Sequence, residues 1–508
     1  MNNKTFRAII TMTLSSVIAY FVTLFLTEYI TENIGIEAYG FVSIAITFVS
    51  YGGIITIALT SFMVRHISVS YHKNQVMESK SYYVSSINAS LLLCGLLTIV
   101  FLALILKLEL IINIPDHLIY PIKLLFLSVY FSFVLQTMST PFSIGFYIKN
   151  KLDVSGVIKI IAYLLEIIVL VVLFSSFTPT IWFVGIGLCV MNLMFLVGCI
   201  IINKRLLPEF NYETKLHSYD KVLTLIKNGS WNSINQLGNT LNSGLDLLVS
   251  NAMLTGVQTG QIAVAKSIGV MFGTLSNIIF QPLQPVLLKS YSDGLTDKFL
   301  NELKKAMKLC GFIGSLSFSG FFALGLLFYK LWLPTQDSAL LHFLTLLTVF
   351  TFVMDIFLQP IYYVNTLTVK NKIPCFVTIA GGLLNVFGMY MLIKHTGLGV
   401  YSVPITTLVI MFCINFFFNP IYACWCLKIN KMYFYPLIFR HLFATGLMCI
   451  VFKAISLILN PSGWIGLITS AIVMTVLGAF IYVIVAYNKE ERKSLFNKMK
   501  NKVFKCDM

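Results

Sequence analysis

The chain has 508 residues, 57% of them hydrophobic and 11% charged, with a formal net charge of +16 and a mean hydropathy of +0.85. A soluble chain is roughly 45–50% apolar and about 25% charged, so no water-facing fold could hide this much apolar side chain, and the composition describes a multispanning membrane protein. The positive charge is read as a topology signal and an attraction to an anionic inner leaflet, not as a footprint for nucleic acid.

Taken from the N-terminus, MNNKTFR leads into an apolar run that passes Phe25 without an A-x-A-like cleavage site, which predicts an uncleaved first span. Apolar runs of membrane length predict fourteen spans, near 7–30, 37–61, 83–106, 118–140, 154–175, 181–202, 228–251, 260–285, 307–331, 340–363, 374–393, 399–426, 436–457 and 464–487. Connections are short, the longest being 203–225, 288–305 and the basic tail from Asn488. With the N-terminus inside, 28 of the 36 Lys and Arg fall on the inner side, and only Lys107, Lys330, Lys394 and Lys453 lie near outer ends. The charge bias therefore predicts a multi-pass membrane protein with both termini cytoplasmic. The ten cysteines are scattered, mostly inside apolar runs, and Cys424 and Cys426 have no partner pair at zinc spacing, so no metal, disulfide or cofactor is expected.

An internal repeat runs at a near-constant offset. Arg7 and Lys227 are 220 apart, as are Gly40 and Gly260, with GFVSIA at 40–45 against GQIAVA at 260–265. KNK recurs at 149–151 and 370–372, and Pro141 and Pro360 each lie shortly before those turns, where they are read as ending their spans. The expectation is an all-α membrane protein of two like-oriented six-helix bundles, 1–222 and 223–432, followed by two additional spans, 433–487, and a cytoplasmic tail, 488–508. Such halves imply a pseudo-twofold along the membrane normal with a substrate cavity between them.

The seventh span carries the densest polar pattern. Asn232, Asn235, Asn239, Asn242, Asp246 and Ser250 follow spacings that average one helical turn, so they form one stripe. A row of amides ending in a carboxylate cannot face lipid. It either glues helices together or lines a lumen, and six positions on one stripe exceed what glue needs. Other ionisable groups within spans are Glu28, Lys123, Lys159, Glu166, Lys266, Asp355 and Arg440. Lys123 and Arg440 sit near span ends and are read as snorkelling. Lys159, Tyr163 and Glu166 share a face, a spacing that permits an internal ion pair. Lys266 heads a stripe with Gly273, Asn277, Gln281 and Gln284, while Ser132, Gln136 and Thr140 match Thr351, Asp355 and Gln359 at the repeat offset. Candidate cavity residues are therefore Asn232, Asn235, Asn239, Asn242 and Asp246 of the span-seven stripe, with Lys266, Asn277, Lys159 and Gln136. Asp246, Glu166, Asp355 and Glu28 are candidates for coupling to an ion such as H+ or Na+. No phosphate-binding loop, nucleophile elbow or zinc-protease motif occurs, and nothing predicts an enzyme.

Span one followed by NIGIEAYGFVSIAITFVSYGGIITIALTSFMVRHIS at 33–68 resembles the opening of the polysaccharide-lipid flippases, in the superfamily that also holds the multidrug and toxic-compound extruders. The likeness lies in a Gly-x-x-x-Tyr-Gly turn, Gly35 to Gly40, and a long second span ending at an Arg-x-Ile-Ser boundary, Arg65 to Ser68. The resemblance implies translocation of an undecaprenyl-diphosphate-linked oligosaccharide to the outer leaflet by alternating access, for O-antigen, lipopolysaccharide or capsule synthesis. It also implies membrane lipids and glycan polymerase or chain-length proteins as partners. Family cavities tend to be cationic, whereas this chain sets Lys159 and Lys266 against Glu166, Asp246 and Asp355. Two other classes stay open: a cation-coupled multidrug exporter using Asp246 and Asp355 as counter-ions, and a non-transporting scaffold of a glycan-synthesis complex.

Overall fold

The computed structural model describes residues 3–294, 296–368 and 370–493, with a few side chains among them, Asn242 included, outside the description. Among the described residues the chain is helical and has no strand. In chain order the first helices are α1 (Asn3–Asn33), α2 (Ile36–Thr60), α3 (Met63–His72), α4 (Val76–Leu106), α5 (Ile119–Phe142), α6 (Ile144–Ile148), α7 (Leu152–Ser176), α8 (Trp182–Leu206), α9 (Tyr219–Ser243) and α10 (Leu245–Met253). They continue as α11 (Gly256–Phe280), α12 (Gln284–Ser292), α13 (Thr296–Trp332), α14 (Ser338–Leu367), α15 (Lys372–His395), α16 (Ser402–Cys413), α17 (Asn419–Leu427), α18 (Tyr435–Leu459) and α19 (Gly463–Ala486). Two compact units form: Met1–Ala263 with Thr378–Tyr390, and Val264–Val377 with Met391–Met508.

Among the described residues, twelve helical segments are long and apolar enough to cross a membrane. The runs expected as spans seven and eight also fold as helices, α9–α10 and α11. Three expectations need correction. The segment 288–305 is mostly helix, because α12 covers its start and α13 begins at Thr296 and runs for 37 residues. Pro360 does not end its span: it lies inside α14, which continues to Leu367. The stretch from Gly35 to Gly40 is not one turn either, since the break is confined to Gly35 at φ 123 and α2 starts at Ile36.

Left-handed residues punctuate the helices where short polar side chains tolerate that backbone. Asn74 (φ 61) separates α3 from α4, Asn150 (φ 50) separates α6 from α7, and Asn460 (φ 39) ends α18 ahead of Pro461.

In the first unit, Leu59, Met63, Ile67, Tyr83, Ile87, Ile144, Leu207, Phe210 and Leu225 form one core cluster, joining α2, α3, α4 and α6 to the foot of α9. The connection from α8 to α9 is stitched onto this face. Lys80 pairs with Glu213, Tyr71 donates to Glu209 at 2.8 Å, Tyr212 donates to Asn88 at 2.6 Å, and the Ser218 N–H donates to Ser85 at 2.9 Å.

In the second unit, Ala323, Leu324, Met448, Phe452, Met474 and Tyr482 dock α18 and α19 on α13. A fully buried His441 is central to that docking. Its ring stacks on Phe357 with centroids 4.2 Å apart. Its Nδ1 meets the Tyr482 hydroxyl at 3.2 Å and its Nε2 the Val353 carbonyl at 3.3 Å. Both ring nitrogens are thus satisfied, as a buried polar group requires.

Candidate functional site

Helix α9 packs on α2 through small residues and leaves its amides outward. An added Cβ on Gly229 would overlap the Ala58 carbonyl oxygen. The Ser233 hydroxyl donates to the Ile54 carbonyl at 2.7 Å, and Thr240 is buried. Gly238 sits against Thr378 and Ile379 of α15, within the same unit. Small side chains at such contacts let backbones approach closely, which is how membrane helices associate without a hydrophobic driving force between them. The opposite side of α9 exposes Asn228, Asn232, Asn235 and Asn239, interleaved with exposed Trp231, Ile234 and Leu237. The Asn242 side chain lies outside the described residues.

The stripe does not continue unbroken. The chain leaves α9 at Ser243 and re-enters helix at Leu245 after Gly244, and beyond this break Asp246 is 7% exposed. Tyr51 of α2 lies within electrostatic reach of that carboxylate. Farther along α10, Asn251 and Asn113 clasp each other. Asn113 donates its N–H and its side-chain amide to Asn251 at 2.9 and 3.0 Å, and Asn251 donates back to the Asn113 carbonyl at 3.1 Å.

At its other end α9 meets cationic and aromatic groups. His66 contacts Asn228 at 3.0 Å and stacks on Tyr82 with centroids 5.2 Å apart. Lys221 lies 4.7 Å from the centre of the Tyr82 ring and donates to the Glu78 carbonyl at 3.2 Å. Burial lowers the Lys221 ammonium from its ordinary value, and Glu78 partly restores it. Arg65, beside His66, and Lys227, beside Asn228, are exposed. Sequence reading missed this grouping because His66 and Asn228 are far apart in the chain. The only signal was the repeated basic character of the inner segments.

The expected pairing of Lys159 with Glu166 does not form. Lys159 is exposed, with its Nζ 5.5 Å from the centre of the Phe195 ring. Glu166 is 2% exposed and lies toward Tyr163, which also senses Tyr20 of α1. Seven residues of helix put the two Cα positions about 10 Å apart along the axis, and each side chain finds a different neighbour. Gln136 on α5 and Glu28 on α1 are exposed.

In the second unit Lys266 is half-buried on α11. Farther along that helix Asn277 accepts from Gln359 at 2.9 Å, and Gln359 accepts from Ser276 at 2.8 Å. Asp355 sits in a neutral donor set: Tyr362 donates to it at 2.7 Å and Asn415 at 3.2 Å. Asn415, 2% exposed, lies in a π-helical turn at Ile414–Phe418 and also accepts from Asn419 at 2.9 Å. Such turns are local insertions common at functional sites, and nothing in hydropathy marks them. No group of three or more metal-ligating side chains occurs among the described residues.

No family model matches the chain. EpsK of Bacillus subtilis (strain 168), an uncharacterized membrane protein, is 26% identical over 483 residues, covering 95% of each chain. Among solved structures, a multidrug resistance MATE family transporter of the MOP superfamily superimposes with a TM-score of 0.61 at 15% identity, over 80% of this chain and 95% of its own. The fold is that of the MOP-superfamily transporters. A MOP-superfamily transporter from Pyrococcus furiosus aligns at TM-score 0.58 and 15% identity, over 83% and 96% of the two chains. The lipid II flippase MurJ aligns at 0.56 and 14%, over 92% and 99%.

Proposed function

We propose that this protein is a transporter that flips an undecaprenyl-diphosphate-linked oligosaccharide from the cytoplasmic to the outer leaflet for cell-surface polysaccharide synthesis. The observation that carries this reading is the outward amide face of α9, at Asn232, Asn235 and Asn239, in a chain whose described residues include twelve helical segments apolar enough to cross a membrane. Amides both donate and accept, which suits a wall that must hold sugar hydroxyls and release them again. The likeness to a lipid II flippase among proteins of this fold supports a lipid-linked substrate. Lys266 and Asp246 are assigned to the substrate or its coupling ion. Lys266→Met and Asp246→Asn are each expected to leave protein levels near normal and abolish glycan export in cells. Normal export by the double variant would remove both residues from the mechanism.

A second reading, a cation-coupled drug exporter, is favoured by one feature. The Asp355 carboxylate is held by neutral donors from Tyr362 and Asn415, as a counter-ion for a cation would be. Export of an organic cation by the purified protein in vesicles would select it over the first.

A further inference from the structure

Resting on the reading above, we propose that α9 recognises an uncharged oligosaccharide, with the diphosphate seated at the helix's cationic end beside Arg65, His66 and Lys227. From Asn228 to Asn239 the exposed side chains of α9 are Asn228, Trp231, Asn232, Ile234, Asn235, Leu237 and Asn239. None of them ionises. These twelve residues of helix set their end Cα atoms about 16 Å apart, enough length for a short oligosaccharide laid along it. The asparagines match hydroxyl and N-acetyl groups in donor and acceptor count. The exposed indole of Trp231 and the flanks of Ile234 and Leu237 offer apolar surface to the C–H faces of sugar rings.

A uronic or sialic carboxylate would need a different wall. Carboxylates are recognised through charge-assisted bonds from Arg or Lys, and α9 and α10 carry no basic residue beyond Lys227. The one ionisable side chain farther along, Asp246, would repel an acidic sugar.

At the opposite end the chemistry reverses. Arg65 is exposed, its guanidinium 5.9 Å from the centre of the Phe62 ring, and its nitrogens meet no protein acceptor among the described residues. The same holds for the Lys227 ammonium, also exposed. His66 ties this group to α9 through Asn228. Unengaged cations next to an uncharged amide wall suit a substrate anionic at one end and neutral along the rest.

The test measures binding of three synthetic probes to the purified full-length protein: farnesyl diphosphate, and farnesyl diphosphate carrying either a neutral trisaccharide or one with a single hexuronic acid. The neutral glycan is expected to bind at least tenfold more tightly than the acidic one. Asn232→Ala with Asn235→Ala should reduce neutral-glycan binding to that of farnesyl diphosphate. Arg65→Ala with Lys227→Ala should weaken all three probes by a similar factor. Asn235→Arg, an exposed change that the fold tolerates, should raise affinity for the acidic glycan, and an unchanged affinity would mean that this face does not meet the sugar. Equal or tighter binding of the acidic glycan by the unaltered protein overturns the neutral-glycan assignment while leaving a lipid-linked saccharide as substrate. Failure to bind any of the three probes overturns both.

Discussion

Gly40 of α2 and Gly260 of α11 touch each other in the first unit: a Cβ added to Gly40 would lie 3.1 Å from both the Cα and the N of Gly260. A Cβ on Gly260 would overlap the Ile36 carbonyl oxygen, which belongs to the backbone and cannot swing aside. Gly260→Ala is therefore expected to destabilise the protein by about 1–3 kcal/mol, the usual cost of overpacking. Gly95→Ala is the control. That glycine lies within α4 with open space around it, and alanine there should be neutral or stabilising by roughly 0.5–1 kcal/mol. Thermal unfolding of the purified variants decides the matter, and equal midpoints for the two would disprove the close-approach argument.

Single cysteines along α9 should react with a soluble thiol reagent at Asn232, Asn235 and Asn239 and be protected at Gly229, Ser233 and Thr240. Leu237, exposed between the amides, should label where a purely polar stripe would predict protection. Asp246, buried beyond the Gly244 break, should be slow. Uniform protection through this stretch would turn the amides into packing contacts.

Glu491 supplies a pH dependence outside the spans. Burial raises its carboxyl, but bonds from the Lys308 ammonium and the Asn488 N–H, with the charges of Lys308 and Arg440, outweigh that and hold it below its ordinary 4.5. A carboxyl depressed in the folded state stabilises fully above its unfolded value, and the contribution is lost as pH falls from about 4.5 through the lower folded value. Lys308, 4% exposed, is bonded to both Glu491 oxygens at 2.6 Å. Glu491→Gln should cost about 1.5–3 kcal/mol at neutral pH, as expected for bonds to a charged group, and flatten the acid limb of stability. An unchanged acid limb would assign it to other carboxylates.

Cysteines placed at the exposed positions Lys215 and Lys489 should resist an impermeant thiol reagent in intact cells and label after lysis. Labelling from outside at either position would overturn the orientation drawn from the Lys and Arg bias.

Much of the fold was legible because membrane helices announce themselves by length and apolar composition. Each unit also holds a side-chain tie made by an asparagine. Ser132 accepts from Asn192 at 2.7 Å, and Asp355 accepts from Asn415 at 3.2 Å. The candidate site was only half legible. The period of the α9 amides placed them on one face, but period alone could not show that Gly244 interrupts the helix before Asp246. A shared face between Lys159 and Glu166 likewise suggested a pair, whereas the lysine found Phe195. The Asn415 turn and the His66–Asn228 contact depend on tertiary neighbours that no local pattern encodes.

The stitched connection between α8 and α9 makes that joint something other than a hinge. Its anchors on α4, at Lys80, Ser85 and Asn88, grip Glu213, Ser218 and Tyr212. The foot of α9 is thereby riveted to α4. A protease nick near Lys215 would cut the polypeptide without releasing either piece, and the two fragments should travel together through purification. The strength of the joint therefore resides in these side-chain contacts and not in its peptide bonds.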